Sequence, residues 1–374
     1  MDVGELIGDH RLWEAIEACR GVRITPGHLK RLADRFGPEL ARFASTQPAL
    51  QLSAKRKFAG ADQMLFERGA LEMATHEAVS AWRASQFPEG VLVTDLTCGI
   101  GGDLIAFCRR GSAVGFDLNP DAVHLARHNL AALGLQGEVH VGDALQHLDV
   151  LQYGFIDPAR RNPNGRITSI GEYLPDPRLV FSELKGARRF AAKLSPMVPD
   201  AELRSLGKAV DFIGHENQCK EALVWTGSEV EPRPYRAVDV DTGETLTETD
   251  PPPTVTAARG IIAEAKPAAI RAHALGHFAA EALGDTPGYL TADTIAPSPW
   301  LKRFEVLVDH AADVTRTRAA LRAHGGGTPV VKSRAKIDVE KLQRDLGGPG
   351  EELVILVYAN GPKLRHAVCR LLEG

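Results

Sequence analysis

The feature that most constrains this chain is a glycine-rich turn set between a short apolar run and a helical stretch. Residues 91–96 read Val-Leu-Val-Thr-Asp-Leu, and the turn is Asp95-Leu-Thr-Cys-Gly99-Ile-Gly101-Gly102-Asp103. Glycines there let the backbone approach a ligand closely and leave N–H groups open at a helix N-terminus. The order strand, glycine loop, helix opens an α/β unit, and the chain beyond it keeps the same alternation. Further strands are expected at residues 113–117, 138–141, 154–156, 190–194, 209–215 and 222–225, with a helix over 120–133. Seven strands alternating with helices imply a mostly parallel, Rossmann-like sheet covered on both faces. The short spacing between the last two strands predicts an antiparallel pair.

The flanks show other patterns. Residues 1–88 read as a helical N-terminal region, with apolar residues at helical spacing over 5–18, 38–43 and 62–84. Phe87-Pro88-Glu89-Gly90 breaks it. The α/β core is expected over 89–228. Residues 229–297 read as a connector, with a hairpin at 235–240 and 245–248, a stiff Asp250-Pro-Pro-Pro253 and a helix over 268–283. From 298 to 374 a small α/β unit is expected: strands at 304–308, 329–332 and 353–358, helices at 315–324 and 339–346.

Hydrophobic residues make up 44% of the 374 and charged residues 25%, which is ordinary globular composition. The apolar run at 353–359 is far short of the ~20 residues a membrane helix needs. No secretory signal is read in the first 20 residues, and the five cysteines form no C-x-x-C pair, so a reduced, cytoplasmic protein is expected. The net charge is −4, but residues 298–374 carry 13 Lys/Arg against 9 Asp/Glu, and residues 151–196 carry 8 against 4. Local positive patches in an acidic chain are compatible with a polyanionic partner.

Three ligand classes could use the glycine loop. No Gly-Lys-Ser/Thr comes after it, which excludes a P-loop. The third glycine of the dinucleotide fingerprint is missing, and Asp95 would repel a pyrophosphate. S-adenosylmethionine fits better. Asp95 suits its ammonium, Asp117 at the end of the second strand suits its ribose hydroxyls, and Asp143 after the third strand suits the exocyclic amine of its adenine. Each acid alone is more often a cap or turn residue, Asp103 and Asp121 included. All of them in the correct order are hard to obtain by accident.

With Phe155-Ile-Asp-Pro158 this ordered set resembles the class I S-adenosylmethionine-dependent methyltransferases, over about residues 60–228. Within them, the lead-in Met64-Leu-Phe-Glu-Arg-Gly-Ala-Leu-Glu-Met-Ala-Thr75 is similar to the segment before the core in trimethylguanosine-synthase-like RNA methyltransferases. The C-terminal unit, with Arg303-Phe-Glu-Val306 and Val331-Lys-Ser-Arg334, resembles the THUMP-like domain of bacterial members. Its last strand ends Val357-Tyr-Ala-Asn-Gly361, without the usual arginine. The resemblance implies a cofactor site of Thr75, Asp95, Thr97, Gly99, Gly101, Asp103, Asp117, Leu118, Asp143 and Ala144.

Methyl transfer from a sulfonium needs alignment of nucleophile, methyl carbon and sulfur, and relief of a proton if the nucleophile is an amine. The resemblance places the residues after the fourth strand beside the methyl group. Here they read Asp157-Pro-Ala-Arg-Arg161, where amino-methylating enzymes of nucleic acids carry Asp/Asn-Pro-Pro and an aromatic residue. Asp157 and Pro158 are kept. Arg160 replaces the ring, and a guanidinium can stack on a base or hold a phosphate. Asp157, Pro158 and Arg160 are thus the expected catalytic residues; Arg161, Arg166, Lys193, Lys332 and Arg334 are the expected substrate contacts. No metal site is read: His124 and His128 share a helix face but lack a third ligand. No G-x-S-x-G points to hydrolysis. The expected function is methylation of a base nitrogen in rRNA or tRNA. The alternatives are a small-molecule or protein methyltransferase and a noncatalytic RNA-binding module.

Overall fold

Chain contacts in the computed structural model, which describes residues 2–160 and 169–372, divide it into two units. The first comprises residues 2–210 and 222–233, and the second 211–221 and 234–372.

The first unit opens with six helices: α1 (Val3–Gly8), α2 (Leu12–Glu17), α3 (Pro26–Phe36), α4 (Pro38–Ala54), α5 (Arg68–Met73) and α6 (Glu77–Ser85). The α/β part continues as β1 (Leu92–Asp95), α7 (Gly102–Cys108), β2 (Ser112–Asp117), α8 (Pro120–Ala132), β3 (Glu138–Val141) and β4 (Tyr153–Ile156). Two short strands, β5 (Ala159–Arg160) and β6 (Tyr173–Leu174), pair antiparallel. Then come α9 (Pro177–Glu183), β7 (Arg189–Leu194), α10 (Asp200–Leu206), β8 (Ala209–His215) and β9 (Gln218–Thr226).

Within this unit the sheet runs β3-β2-β1-β4-β7-β9. All its pairs are parallel except β7 with β9. Buried parallel strands read as continuous apolar runs, and β4 is buried along its whole length. One core layer gathers Leu96, Ile156, Val180 and Phe190 under the sheet. The sheet order reverses between β1 and β4. In such sheets, ligands bind outside the carboxyl ends of the strands at that point.

The long helix expected over 62–84 is broken. Only a 3₁₀ turn, α5 and α6 form, and between them Met64, Leu65 and Phe66 are held by side-chain amides. Gln47 Nε2 donates to the Phe66 carbonyl and its Oε1 accepts from the Phe66 N–H, each at 3.0 Å. Asn129 does the same for Leu65, accepting at 2.8 Å and donating at 3.2 Å. Gln51 donates to the Met64 carbonyl. Buried backbone groups need partners, and these amides supply them in place of a helical ladder.

The second unit begins inside β8, which turns into β9 through Glu216 and Asn217 at φ 49° and 59°. β8 pairs parallel with β10 (Arg236–Asp239), which pairs antiparallel with β11 (Thr245–Thr247), the expected hairpin. Next come β12 (Thr254–Val255), β13 (Ile261–Ala265), α11 (Pro267–Arg271), β14 (Glu281–Leu283) and β15 (Tyr289–Ala292). The chain ends with β16 (Leu301–Ala311), α12 (Val314–Ala323), β17 (Val330–Ser333), α13 (Val339–Leu346), β18 (Val354–Asn360) and β19 (Lys363–Leu371). The sheet order is β12-β14-β15-β13-β16-β19-β18-β17.

The helix expected over 268–283 shrinks to α11. His273 adopts φ 53°, and the Gly276 N–H is taken by Thr249 Oγ1 at 3.0 Å, so the alanine-rich pattern does not propagate. Strand β19 was not anticipated. Its residues Arg365 and His366 interrupt the apolar alternation, yet it lies inside the sheet between β16 and β18. Arg365 is offset there by Asp309, which it grips with Nε and Nη2 while Tyr358 donates to the same carboxylate. Helices α12 and α13 pack Leu321 and Leu346 against Val331, Ile355, Val357 and Val368.

Candidate active site

Strands β1 to β4 present their carboxyl ends to one edge of the sheet, with the reversal between β1 and β4, and the loops after them carry most of the expected residues. Gly99 and Gly101 take φ of +53° and +93°, the left-handed region open to glycine at no steric cost. A Cβ at Gly99 would meet nothing within 4 Å, so the loop faces open space there. Gly101 is the cap from which α7 starts. The Asp117 carboxylate fixes the loop from the neighbouring strand. Its Oδ2 accepts from the Gly99 N–H at 2.9 Å and its Oδ1 from the Asn119 N–H at 2.8 Å. Each oxygen retains a lone pair for a ligand hydroxyl.

Asp95 sits beneath this loop at 1% exposure. Its Oδ1 accepts from the Thr97 N–H, while the buried Oδ2 has no partner among the described residues. Burial pushes the Asp95 carboxyl up to about 7, and the nearby carboxylates of Asp157 and Asp117 add to that rise. Thr97 links the loop to the next segment, since its Oγ1 accepts the Asp157 N–H at 2.8 Å. Asp143 caps a 3₁₀ turn over Ala144–His147 by accepting from the Leu145 N–H at 3.0 Å, and its side chain is exposed. Leu118 is 74% exposed beside Asp117. Burial pushes the Cys98 thiol of the loop far up, so no thiolate nucleophile is offered.

Asp157 lies just past β4, and Pro158 behind it is buried. Asp157 Oδ2 accepts from Lys193 Nζ, on β7, at 2.6 Å. Lys193 also donates to Thr75 Oγ1 at 3.2 Å, and Thr75 donates to Asp103 Oδ2 at 2.8 Å. The other Asp103 oxygen pairs with Arg83, which is fully buried and lies 4.4 Å from the centre of the Phe155 ring. Asp157, Lys193, Thr75 and Asp103, read separately from the sequence, therefore form one chain of contacts. Arg83 was missed. Its signal was a charged residue four positions after Val79, on the buried side of α6.

Arg160 contributes its backbone to β5. Arg161 and Arg166 lie outside the described residues. In the second unit, Lys332 and Arg334 both pair with Glu264, which leaves them one net positive charge between them.

Comparison with known proteins identifies the chemistry. Over 329 residues the chain is 31% identical to two uncharacterized S-adenosylmethionine-dependent methyltransferases of Mycobacterium tuberculosis, from strains CDC 1551 and H37Rv. The match covers 83% of this chain and 90% of each relative. The chain belongs to the S-adenosylmethionine-dependent methyltransferases. The crystal structure of a candidate methyltransferase from Porphyromonas gingivalis W83 shares the fold of this methyltransferase, at 20% identity and a TM-score of 0.75, with all of both chains covered. No family model matches the sequence.

The site fits the cofactor of this family. A buried acid with an unpartnered oxygen suits a cationic group, a carboxylate beside the loop suits a diol, and the open face at Gly99 leaves room for the ligand to approach. Among the described residues, no helix of this methyltransferase is long and apolar enough to cross a membrane.

Proposed function

We propose that this methyltransferase modifies a base nitrogen in RNA, with Asp157 as the group that orients the nucleophile. The observation that carries this reading is the position of Asp157. It stands at the sheet reversal, tied by its N–H to the cofactor loop, with Oδ1 left for a substrate N–H. S-adenosylmethionine supplies a methyl group already activated by its sulfonium. Asp157 then accepts a hydrogen bond from the attacking nitrogen and stabilises the positive charge that develops there. Pro158 holds the turn, and Arg160 offers a guanidinium for the base or a phosphate.

In the same reading Asp95 faces the ammonium of the cofactor, Asp117 its ribose and Asp143 its adenine, with Thr97, Gly99, Gly101, Leu118 and Ala144 around them, while Thr75 and Asp103 are engaged with Lys193 and Arg83 instead. Asp117→Ala should weaken S-adenosylmethionine binding by about 1–3 kcal/mol, the range for losing a partner of buried polar groups. Calorimetry on the folded variant tests it, and unchanged affinity removes Asp117 from the site.

The high position of Asp95 makes cofactor binding depend on pH. A cation against it favours the ionised form. Binding near pH 6 should therefore release close to one proton, and binding near pH 8 almost none. Calorimetry in buffers of different ionisation enthalpy measures the released proton, and Asp95→Asn should abolish it. Stability carries the opposite sign from an ordinary ion-paired acid. The folded value lies above the unfolded one (about 3.9), so stability falls as pH rises from about 4 to about 7, by at most about 1.4 kcal/mol per pH unit.

RNA as the substrate is supported by the charge distribution of the second unit, which we read as a THUMP-like accessory domain of a trimethylguanosine-synthase-like enzyme. Helix α12 exposes Arg316 and Arg322, and neither is within ion-pair distance of a carboxylate among the described residues. They are better placed for phosphates than Lys332 and Arg334, which share Glu264. RNA affinity should fall steeply with salt, and Arg316→Ala with Arg322→Ala should reduce the slope by about one unit for each phosphate no longer engaged. Binding insensitive to salt would point to a small-molecule substrate. Incorporation of tritiated methyl groups into RNA from a strain lacking the protein tests the reaction itself.

A further inference from the structure

We propose that Lys193 and Thr75 are positioning residues for methyl transfer: they hold Asp157 in place and touch neither substrate nor cofactor in doing so. This rests on the reading of Asp157 as the acceptor. The sequence suggested another role for Lys193, as a substrate contact. The geometry points inward instead. Lys193 is mostly buried, 19% exposed in its side chain, and its ammonium is committed to Asp157 Oδ2 and Thr75 Oγ1.

The direction of each hydrogen bond in this chain is forced. An ammonium can only donate, so Thr75 must accept from it. The Thr75 hydroxyl proton is then free for one partner, and the Asp103 carboxylate takes it at 2.8 Å. Asp103 is held from its other oxygen by Arg83, whose guanidinium lies over Phe155. Phe155 lies on β4, two residues before Asp157, which follows that strand directly. The contacts thus leave β4 at Phe155, pass through α6, α7 and β7, and return at Asp157. Charges alternate along the path (Asp157 and Asp103 against Lys193 and Arg83), so none is left uncompensated. A long carboxylate–ammonium pair at the surface would swing among several rotamers. Here Thr75 holds the ammonium, Lys193 takes Asp157 Oδ2 and leaves Oδ1, and the Asp157 backbone is fixed by its N–H to Thr97.

The test uses the full chain, tritiated S-adenosylmethionine and RNA from a strain lacking the protein. Lys193→Met should lower kcat by about 10–100-fold, part of what a positioned acid–base group supplies, with KM for RNA and the cofactor Kd within about twofold. Lys193→Arg should recover most of the loss. Thr75→Val should lower kcat by about 3–10-fold, and Thr75→Ser should restore it, because only the hydroxyl matters. Placed in an Asp157→Asn background, Lys193→Met should cost little more, since both changes break one unit. A raised KM with unchanged kcat, or losses that multiply in the double variant, would overturn the inference and return Lys193 to a direct substrate contact. A wild-type rate in Asp157→Ala would instead overturn the reading of Asp157, which is a separate result. A readout free of any substrate is the crystal structure of Lys193→Met. The inference expects the Asp157 carboxylate to leave its present rotamer, and an unmoved carboxylate would count against it even if RNA proves not to be methylated.

Discussion

Asp157→Ala is expected to bind S-adenosylmethionine almost normally while turnover falls by about 10²–10⁴, the usual contribution of a positioned acid–base group. The cofactor contacts proposed above lie on the glycine loop and on the ends of β1, β2 and β3, so Asp157 is not required for affinity. On the proposed reading the variant lacks the acceptor for the attacking N–H, and with it the direction of the nitrogen lone pair. Asp157→Asn separates two contributions. An amide oxygen still accepts a hydrogen bond, so substantial residual activity would show that orientation dominates. Loss as complete as in the alanine variant would show that the negative charge dominates. Because the Asp157 N–H donates to Thr97 Oγ1 through the backbone, both variants keep that tie to the cofactor loop. Calorimetry for the cofactor and methyl incorporation for turnover measure the two effects on one preparation. If Asp157→Ala transfers methyl groups at the wild-type rate, the acceptor lies elsewhere.

Arg83→Met should produce the largest loss of stability of any single change near the site. Arg83 is fully buried, and its removal leaves Asp103 buried against the first helical region with no cation. Breaking a buried pair on one side costs about 3–5 kcal/mol, because the remaining charge keeps its desolvation cost without its partner. The guanidinium also vacates its place on the Phe155 ring, an interaction worth about 0.5–2 kcal/mol when desolvated. In a protein of this size the melting temperature should drop by an amount on the order of 10 °C. Arg83→Lys should be intermediate, since an ammonium keeps the charge but not the planar face. Combining Arg83→Met with Asp103→Asn should restore part of the stability by removing the stranded carboxylate, as differential scanning calorimetry would show. An Arg83→Met protein as stable as the wild type would mean that water or a rearranged side chain satisfies Asp103.

These two residues mark how unevenly the site was legible. Asp157 announced itself: an acid and a proline directly after an apolar strand, at the right place in a strand–helix alternation. Arg83 did not, although it holds Asp103. A lone arginine on a helix is usually a solvated one, and only packing of α6 against β4 and α7 shows that this one is enclosed. Lys193 was visible as a charged residue near a strand end, but its direction was not. A side chain at a strand end can turn outward to solvent or inward over the sheet. The inward turn depends on Thr75, 118 residues earlier in the chain. Lys332 and Arg334 show the converse. They read as two available cations, but Glu264, far away in sequence, pairs with both and leaves one net positive charge.

The same division runs through the fold. Short apolar runs and helical patterns, together with a glycine loop, were enough to establish β1 through β4, β7 and the helices α7 and α8, because those elements draw on local apolar spacing and on the steric needs of a tight turn. The acids at the strand ends could be placed from chain order alone, since each strand of a parallel sheet delivers its carboxyl end to the same edge. Local pattern could not show that residues 64–66 leave the helical path, because their backbone partners are the side chains of Gln47, Gln51 and Asn129. Nor could it show that residues 363–371 form an inner strand, because the charge on Arg365 is offset only by Asp309 across the sheet. Sequence by itself determined the sheet, its glycine loop and the ordered acids, which rest on neighbours a few residues apart. Tertiary structure decided which polar groups are spent on one another, because the partners of Lys193, Arg83 and Asp103 come together only when elements distant in the chain pack and exclude water.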